Sequence, residues 1–207
     1  MSIEIPQYEE GKHYINVEMG DTFRFECQRC GFCCGYTPIL QPAELEGLSE
    51  HFGMKKQDFF EEFCEPIVYN GFVAIKITDG KCVFYIPGEK GTCMIYETKP
   101  GDCRISPLRM RGLFTGNHDD LHSERLSLAI CRGYGKGEEI KVSDFAGKVG
   151  IFEHQDIDYR MVAELAAFLG GVEAANEFLE RTISPGTDDW RRMMDFIEER
   201  YGVEILS

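Results

Sequence analysis

Four cysteines fall in one short run, Cys27-x2-Cys30-x2-Cys33-Cys34. Two thiolates separated by two residues can turn onto a single metal ion, and a glycine beside a ligand allows the tight backbone this needs. Gly31 follows Cys30 and Gly35 follows Cys34. Three cysteines at this repeated spacing form a tripod of the kind that holds an iron–sulfur cluster once a distant fourth thiolate completes the set. Neighbouring thiolates point apart, so Cys34 suits a second metal or a bridge better than chelation beside Cys33.

Downstream stand Cys82, Cys93, Cys103 and Cys131, which bring the candidate ligands to eight. Basic residues adjoin several of them: Arg29 before Cys30, Lys81 before Cys82, Arg104 after Cys103 and Arg132 after Cys131. A centre with four thiolates keeps negative charge, and nearby cations offset it and favour the thiolate form. The ninth cysteine, Cys64, shares an apolar helical face with Phe60 and Phe63 and reads as a buried, inert thiol. An odd number of cysteines fits poorly with a closed disulfide framework, and clustered thiols in a reducing compartment point to metal or redox chemistry. His118 and His122 have the four-residue spacing of a helical metal pair, but they follow Gly116-Asn117 and lack an apolar face, so a solvated loop is expected there. His13, His51 and His154 stand alone.

Several chemistries have no support. There is no P-loop, no Gly-x-Gly-x-x-Gly after a strand and no Gly-x-Ser-x-Gly. Gly133-Tyr134-Gly135-Lys136-Gly137 is glycine-rich and basic but follows a cysteine, so it reads as a turn that lets the backbone pack close to a metal centre.

The run Cys-Gln-Arg-Cys-Gly-Phe-Cys-Cys at 27–34, followed by Cys93 through Pro100-Gly101-Asp102-Cys103-Arg104 and then Cys131, resembles the CxxCxxCC family. Its members are described as zinc- or iron-chelating proteins and include flagellin lysine N-methylases. The resemblance covers roughly residues 23 to 135 and implies that Cys27, Cys30, Cys33, Cys34, Cys82, Cys93, Cys103 and Cys131 are the shared cysteines. Lys99 replaces the arginine usual before Pro100, which keeps charge but loses a bidentate fork. Ile105-Ser106-Pro107 stands where an aromatic often follows the Cys-Arg pair. A lysine N-methylase-like activity follows only through those relatives, and no cofactor pocket is legible in this chain.

The elements that must position these thiols read as follows. Phe23-Arg24-Phe25-Glu26 alternates and delivers the chain into the cysteine run. Pro42 to Phe52 reads as a helix with proline in its first turn, Leu45 and Leu48 on one face and Gly53 as its stop. Lys56 to Cys64 reads as a second helix, ended by Pro66. Gly71 to Ile77 reads as a strand, Asp79-Gly80 as a hairpin turn, Cys82 to Ile86 as its return strand and Cys93 to Tyr96 as a third. Such strands would bring Cys82 and Cys93 together across the turn at 87–91. Pro100 to Gly137 shows little periodicity and is expected to be largely irregular, pinned by Cys103 and Cys131. Helical spacing resumes from Asp158, with further helices over Val172 to Ile183 and Asp188 to Tyr201, the last with Trp190, Met194 and Ile197 on one face.

The fold class expected is therefore α+β: a small metal-stapled core with short antiparallel strands and a helical C-terminal region. Residues 1–140 would form the cysteine-cluster domain and 141–207 an acidic extension packed on it. The net charge is −14, and residues 138–207 carry 16 acidic against 7 basic residues. Such a chain repels phosphate backbones, so nucleic acid is excluded as a partner class, while a protein partner stays open. The start of the chain lacks the basic flank and apolar stretch of a secretory signal, and no apolar run is long enough to span a bilayer; a cytoplasmic protein is expected. The expected cofactor is an iron–sulfur cluster, of the 4Fe–4S type, or Zn²⁺. The function expected is redox or cluster-related, with a structural zinc module for protein interaction as the alternative.

Overall fold

A computed structural model describes residues 14–68, 71–88, 91–110, 126–129, 131–179 and 183–205, with the side chains of a few of these excepted. The described residues form helices and short antiparallel strands in small separate sheets, an α+β architecture. They group into two compact units interleaved along the chain. The first takes residues 1–33, 85–93 and 101–158; the second takes 34–84, 94–100 and 159–207.

In the first unit, β1 (Tyr14–Val17) and β10 (Leu108–Met110) flank β11 (Leu126–Ala129) as an antiparallel three-stranded sheet. Strand β2 (Thr22–Phe25) pairs with β12 (Tyr134–Lys141). The alternation of Phe23-Arg24-Phe25 puts Phe23 in the core, half-buries Phe25 and exposes Arg24, as period-two side chains require. Phe23 and Phe25 meet the ring of Phe145 edge-on at 5.4 and 5.8 Å, a geometry that aligns ring edge with ring face. Phe145 sits on α4 (Val142–Val149), whose buried Val142, Phe145 and Ala146 recur at helical spacing. Gly150, at φ 69°, supplies the left-handed residue that ends it. A short hairpin, β8 (Tyr85–Ile86) with β9 (Thr92–Cys93), and the single-turn α3 (Gly101–Arg104) complete this unit's cysteine-bearing pieces.

The second unit is built on β5 (Phe72–Ile75), buried along its whole length between β3 (Ile39–Leu40) and β4 (Cys64–Ile67). Against the sheet lie α1 (Pro42–His51) and α2 (Lys56–Phe63). Helix α1 opens on a proline, closes a capping box between Gln41 and Glu44, and is followed by Gly53 at φ 64°. Phe59, Phe63 and Phe84 pack with Phe52, the Phe59 and Phe84 rings near-parallel at 6.0 Å. The tight hairpin of β6 (Ile77–Thr78) and β7 (Lys81–Cys82) turns on Asp79 and Gly80, both at positive φ, 52° and 72°. Two consecutive left-handed residues are what a two-residue turn matched to strand twist demands. The chain passes between units within α5 (Ile151–Leu169), and α6 (Val172–Leu179) and α7 (Asp188–Tyr201) follow. Thr187 caps α7 by accepting from the Trp190 N–H at 3.2 Å. Buried Tyr201 donates to the Leu40 carbonyl at 2.6 Å and so ties the end of α7 to β3.

Five expectations are corrected. Cys64 begins β4 instead of ending α2, and Pro66 pairs opposite Val73 on an edge strand, where its missing N–H costs no ladder bond. Residues 82–86 do not form one strand. Cys82 faces Ile77 in the first hairpin, whereas Tyr85-Ile86 faces Cys93 and Thr92 in the second, so Cys82 and Cys93 are not cross-strand neighbours. Third, residues 100–137 hold α3, β10, β11 and the start of β12. Fourth, helix begins at Val142, ahead of the onset expected at Asp158. Finally, the buried face of α7 runs through Met193, Phe196, Ile197 and Tyr201, so Trp190 and Met194 flank it. Among the described residues, no helix is long and apolar enough to cross a membrane.

Candidate metal centre

All nine cysteines lie among the described residues and stand as thiols. Six of them, Cys27, Cys30, Cys33, Cys93, Cys103 and Cys131, belong to the first unit.

The loop after β2 carries the first three. It bends through Arg29 at φ 50° and Gly31 at φ 70°, then closes in a 3₁₀ turn over Cys33–Gly35. A left-handed arginine costs about 1–3 kcal/mol and persists only where its surroundings over-determine it. Here the next constraint is visible: Gly31 lies directly on the ring of Tyr85, and a Cβ there would overlap the phenol. Gly91 packs on the same ring with the same intolerance. Tyr85 is the cross-strand partner of Cys93. One aromatic ring therefore sets the backbone of the Cys27–Cys33 loop and of the hairpin that carries Cys93. Cys27 and Cys33 are exposed, and Cys30 and Cys93 are half-buried.

Cys131 precedes β12, the strand that pairs with β2. The Gly133 carbonyl accepts from the Glu26 N–H at 3.1 Å, one residue before Cys27. Gly133 approaches so closely that a Cβ would run into the Glu26 carbonyl and the Phe25 ring. Past Tyr134, which pairs with Phe25, the strand bulges outward over residues 135–138 before Glu139 pairs with Arg24. Gly135 and Gly137, at φ 74° and 76°, make that excursion, as a bulge favours. From its tip Lys136 donates to the Gln28 side-chain oxygen at 2.9 Å, and Gln28 donates to the Glu26 carbonyl at 2.9 Å. The glycine-rich segment thus packs its backbone against the threshold of the cysteine loop.

The Cys131 thiol feels the charges of three cysteines of this loop. Burial pushes the Cys131 thiol up, the Gly133 N–H donated to Sγ at 3.4 Å pulls it down, and the charges of Cys30, Cys33 and Cys27 push it up again. Like charges act on one another this way only at short range. A cation bound among them reverses the sign and converts the repulsion into affinity. Thiolates are soft donors suited to zinc and to iron–sulfur clusters, and in chemical character the set fits both. Among the described residues no group of three cysteine, histidine, aspartate or glutamate side chains is drawn in closely enough to hold a metal ion.

The remaining thiols are placed elsewhere. Cys34, Cys64 and Cys82 belong to the second unit. Gly35 packs at the Asp79-Gly80 turn, its Cβ position 3.3 Å from the Gly80 carbonyl, two residues before Cys82. Cys64 is buried, and burial pushes its thiol up to about 12; Lys76 opposes this, while Cys82 and Glu65 add to it. Lys76 is itself held by the Glu61 carbonyl at 2.6 Å and that of Glu62 at 3.2 Å. Cys103 is half-buried on α3. Lys99, at the position where a fork is lost, lies over the Tyr96 ring at 4.4 Å. His51 meets Phe52 edge-on at 5.4 Å. His13, His118, His122 and the side chain of His154 lie outside the described residues. Tyr85, the ring on which the loop is built, carries no sequence signal of its own: a lone tyrosine in a short strand is indistinguishable from ordinary packing.

Residues 26–128 match the family CxxCxxCC, described as "Putative zinc- or iron-chelating domain". The match takes in seven of the eight candidate ligands and ends just short of Cys131. The chain is also similar, at 27% identity over 124 residues, to an uncharacterized protein of Methanocaldococcus jannaschii. That similarity covers 58% of this chain and 63% of the relative, so the chain spans less than two thirds of that protein's length. No solved structure matches.

Proposed function

The chain belongs to the CxxCxxCC family through residues 26–128, and from that premise we propose that it holds a metal centre on the thiolates of Cys27, Cys30, Cys33 and Cys131. What supports this reading is the contact of Gly133 with the Glu26 N–H, which brings Cys131 toward the cysteine loop, together with the upward push that the charges of Cys30, Cys33 and Cys27 exert on its thiol. Four thiolates satisfy one tetrahedral zinc ion or one cubane cluster. An iron–sulfur cluster with a redox or cluster-related role is the reading we favour. The tripod spacing suits it, and the first unit's six cysteines exceed what one zinc ion uses. Cys93 and Cys103 then stand in the same unit as further ligands or exchange partners, while Cys34 and Cys82 belong to the second unit.

Anaerobic purification followed by metal and sulfide analysis with an absorption spectrum tests the reading. Iron with matching sulfide and thiolate-to-iron charge-transfer absorption is the expected result. Zinc in whole-number ratio without colour moves the protein to the structural zinc module. Neither metal, with titratable thiols throughout, overturns both.

A further inference from the structure

In the second unit, Cys64 and Cys82 are brought together by one stretch of extended chain. Residues 72–78 run as β5 and β6 with Lys76 between them. Cys64 lies opposite Ile75, and Cys82 lies opposite Ile77. The Lys76 N–H donates to the Phe63 carbonyl at 2.8 Å, and the Lys76 carbonyl accepts from the Val83 N–H at 3.2 Å. Both groups of one extended residue point to the same side, so β4 and β7 follow one another along a single edge of this stretch. Ile75 and Ile77, two apart, share a face, and directly opposite residues share the face of their partners. The two thiols therefore project from one face, where both are buried, Cys64 3% and Cys82 8% exposed. Two residues of strand separate them, about 6.6 Å, which lies inside the Cα spacing that a disulfide spans. Strands β4 and β7 are not paired with each other, so no ladder holds the two thiols apart. The charge of Cys82 also acts on the Cys64 thiol, a second mark of their nearness.

We infer that Cys64 and Cys82 are a redox pair, which hydrogen peroxide closes into a reversible disulfide that staples the start of β4 to the β6–β7 hairpin. The inference uses none of the four thiolates assigned to the metal centre and stands apart from that assignment. Cys82, the less buried of the two, attacks one peroxide oxygen; the O–O bond breaks, Cys82 becomes a sulfenic acid and one water leaves. The Cys64 sulfur then displaces the remaining oxygen, which leaves as a second water, and the S–S bond forms. Two thiols and one hydrogen peroxide thus give one disulfide and two waters, the peroxide taking up two electrons and both thiol protons. Burial makes Cys64 slow to meet the oxidant first and leaves it as the resolving thiol. The peroxide is small and uncharged, as a site this enclosed requires.

Trypsin separates the two thiols cleanly. The peptide Gln57–Lys76 carries Cys64 and no other cysteine, and Cys82–Lys90 carries Cys82 and no other. The experiment treats the reduced full chain with hydrogen peroxide, alkylates the remaining thiols in denaturant and maps the digest by mass spectrometry. Expected is a linked pair of these two peptides, lighter than their sum by two hydrogens. Reductant should split the pair, and it should be missing from the untreated chain and from peroxide-treated Cys64→Ala. Recovery of both peptides as alkylated thiols, under peroxide that has oxidised the exposed Cys27 and Cys33, would overturn the inference. A link from Cys82 to a different cysteine, or sulfinic acid at Cys82 with Cys64 left as a thiol, would overturn it equally. The wild-type digest decides between these outcomes by itself, so the result holds even if Cys64→Ala fails to fold.

Discussion

Gly133 is the residue on which the candidate centre turns, because it does three things at once. Its carbonyl accepts from Glu26, its N–H faces the Cys131 sulfur, and its missing side chain lets the strand close on β2. Gly133→Ala forces a methyl into the Glu26 carbonyl, a clash with backbone that no rotamer relieves. It is expected to destabilise the chain by about 1–3 kcal/mol and to weaken metal binding. Gly135→Ala meets nothing within 4 Å and loses only the freedom to hold φ 74°, about 1 kcal/mol. Denaturant unfolding of the two variants checks the order. Cys64 gives a second prediction. Its thiol, ordinarily at 9.0, is pushed to about 12 by burial, so the folded chain keeps that proton longer than the unfolded chain. The resulting stabilisation is complete below pH 9 and is lost as pH rises from there toward 12. Unfolding midpoints measured across that interval should fall less steeply for Cys64→Ala than for wild type, and Cys64→Ala should retain the metal. Residue types and spacing made the candidate ligands legible from the sequence. The support of the loop that carries them was not, because Tyr85 acts through where its ring lies against Gly31 and Gly91, and only the folded chain sets that.

At the scale of elements, the readings that succeeded rested on stereochemistry local to a few residues. Proline at the head of α1, glycine after it and Asp79-Gly80 in the hairpin each leave one backbone conformation open. Those that missed involved competition between local signals. Val142, Phe145 and Ala146 lie at helical spacing before Gly150, yet the surrounding acidic residues and glycines mask them as a polar connection. The run from Cys82 to Ile86 looks like one strand because its residues favour extension; pairing, which is non-local, divides it between two hairpins. Tyr201→Phe tests one such non-local tie. It removes the hydrogen bond from α7 to the Leu40 carbonyl and should cost about 1 kcal/mol in equilibrium unfolding.

For the whole chain, the two compact units are each assembled from three separate stretches of sequence. Composition along the chain carries no mark of that interleaving, because which stretches pack together is set by non-local contacts. The concentration of negative charge after residue 137 is legible, and part of it coats the exposed face of α7, where Asp188, Asp195 and Glu199 fall. Iron or zinc is the cofactor class that the family description gives, and a thiolate-only donor set agrees with it. The central claim is that one centre is held by sulfur from Cys27, Cys30, Cys33 and Cys131. X-ray absorption at the edge of the metal bound to the full chain measures it most directly. The account predicts a first shell of sulfur alone, at about 2.3 Å if the metal is zinc, that changes when Cys131 becomes serine. A first shell of nitrogen and oxygen at about 2.0–2.2 Å, or a sulfur shell indifferent to Cys131→Ser, would contradict it.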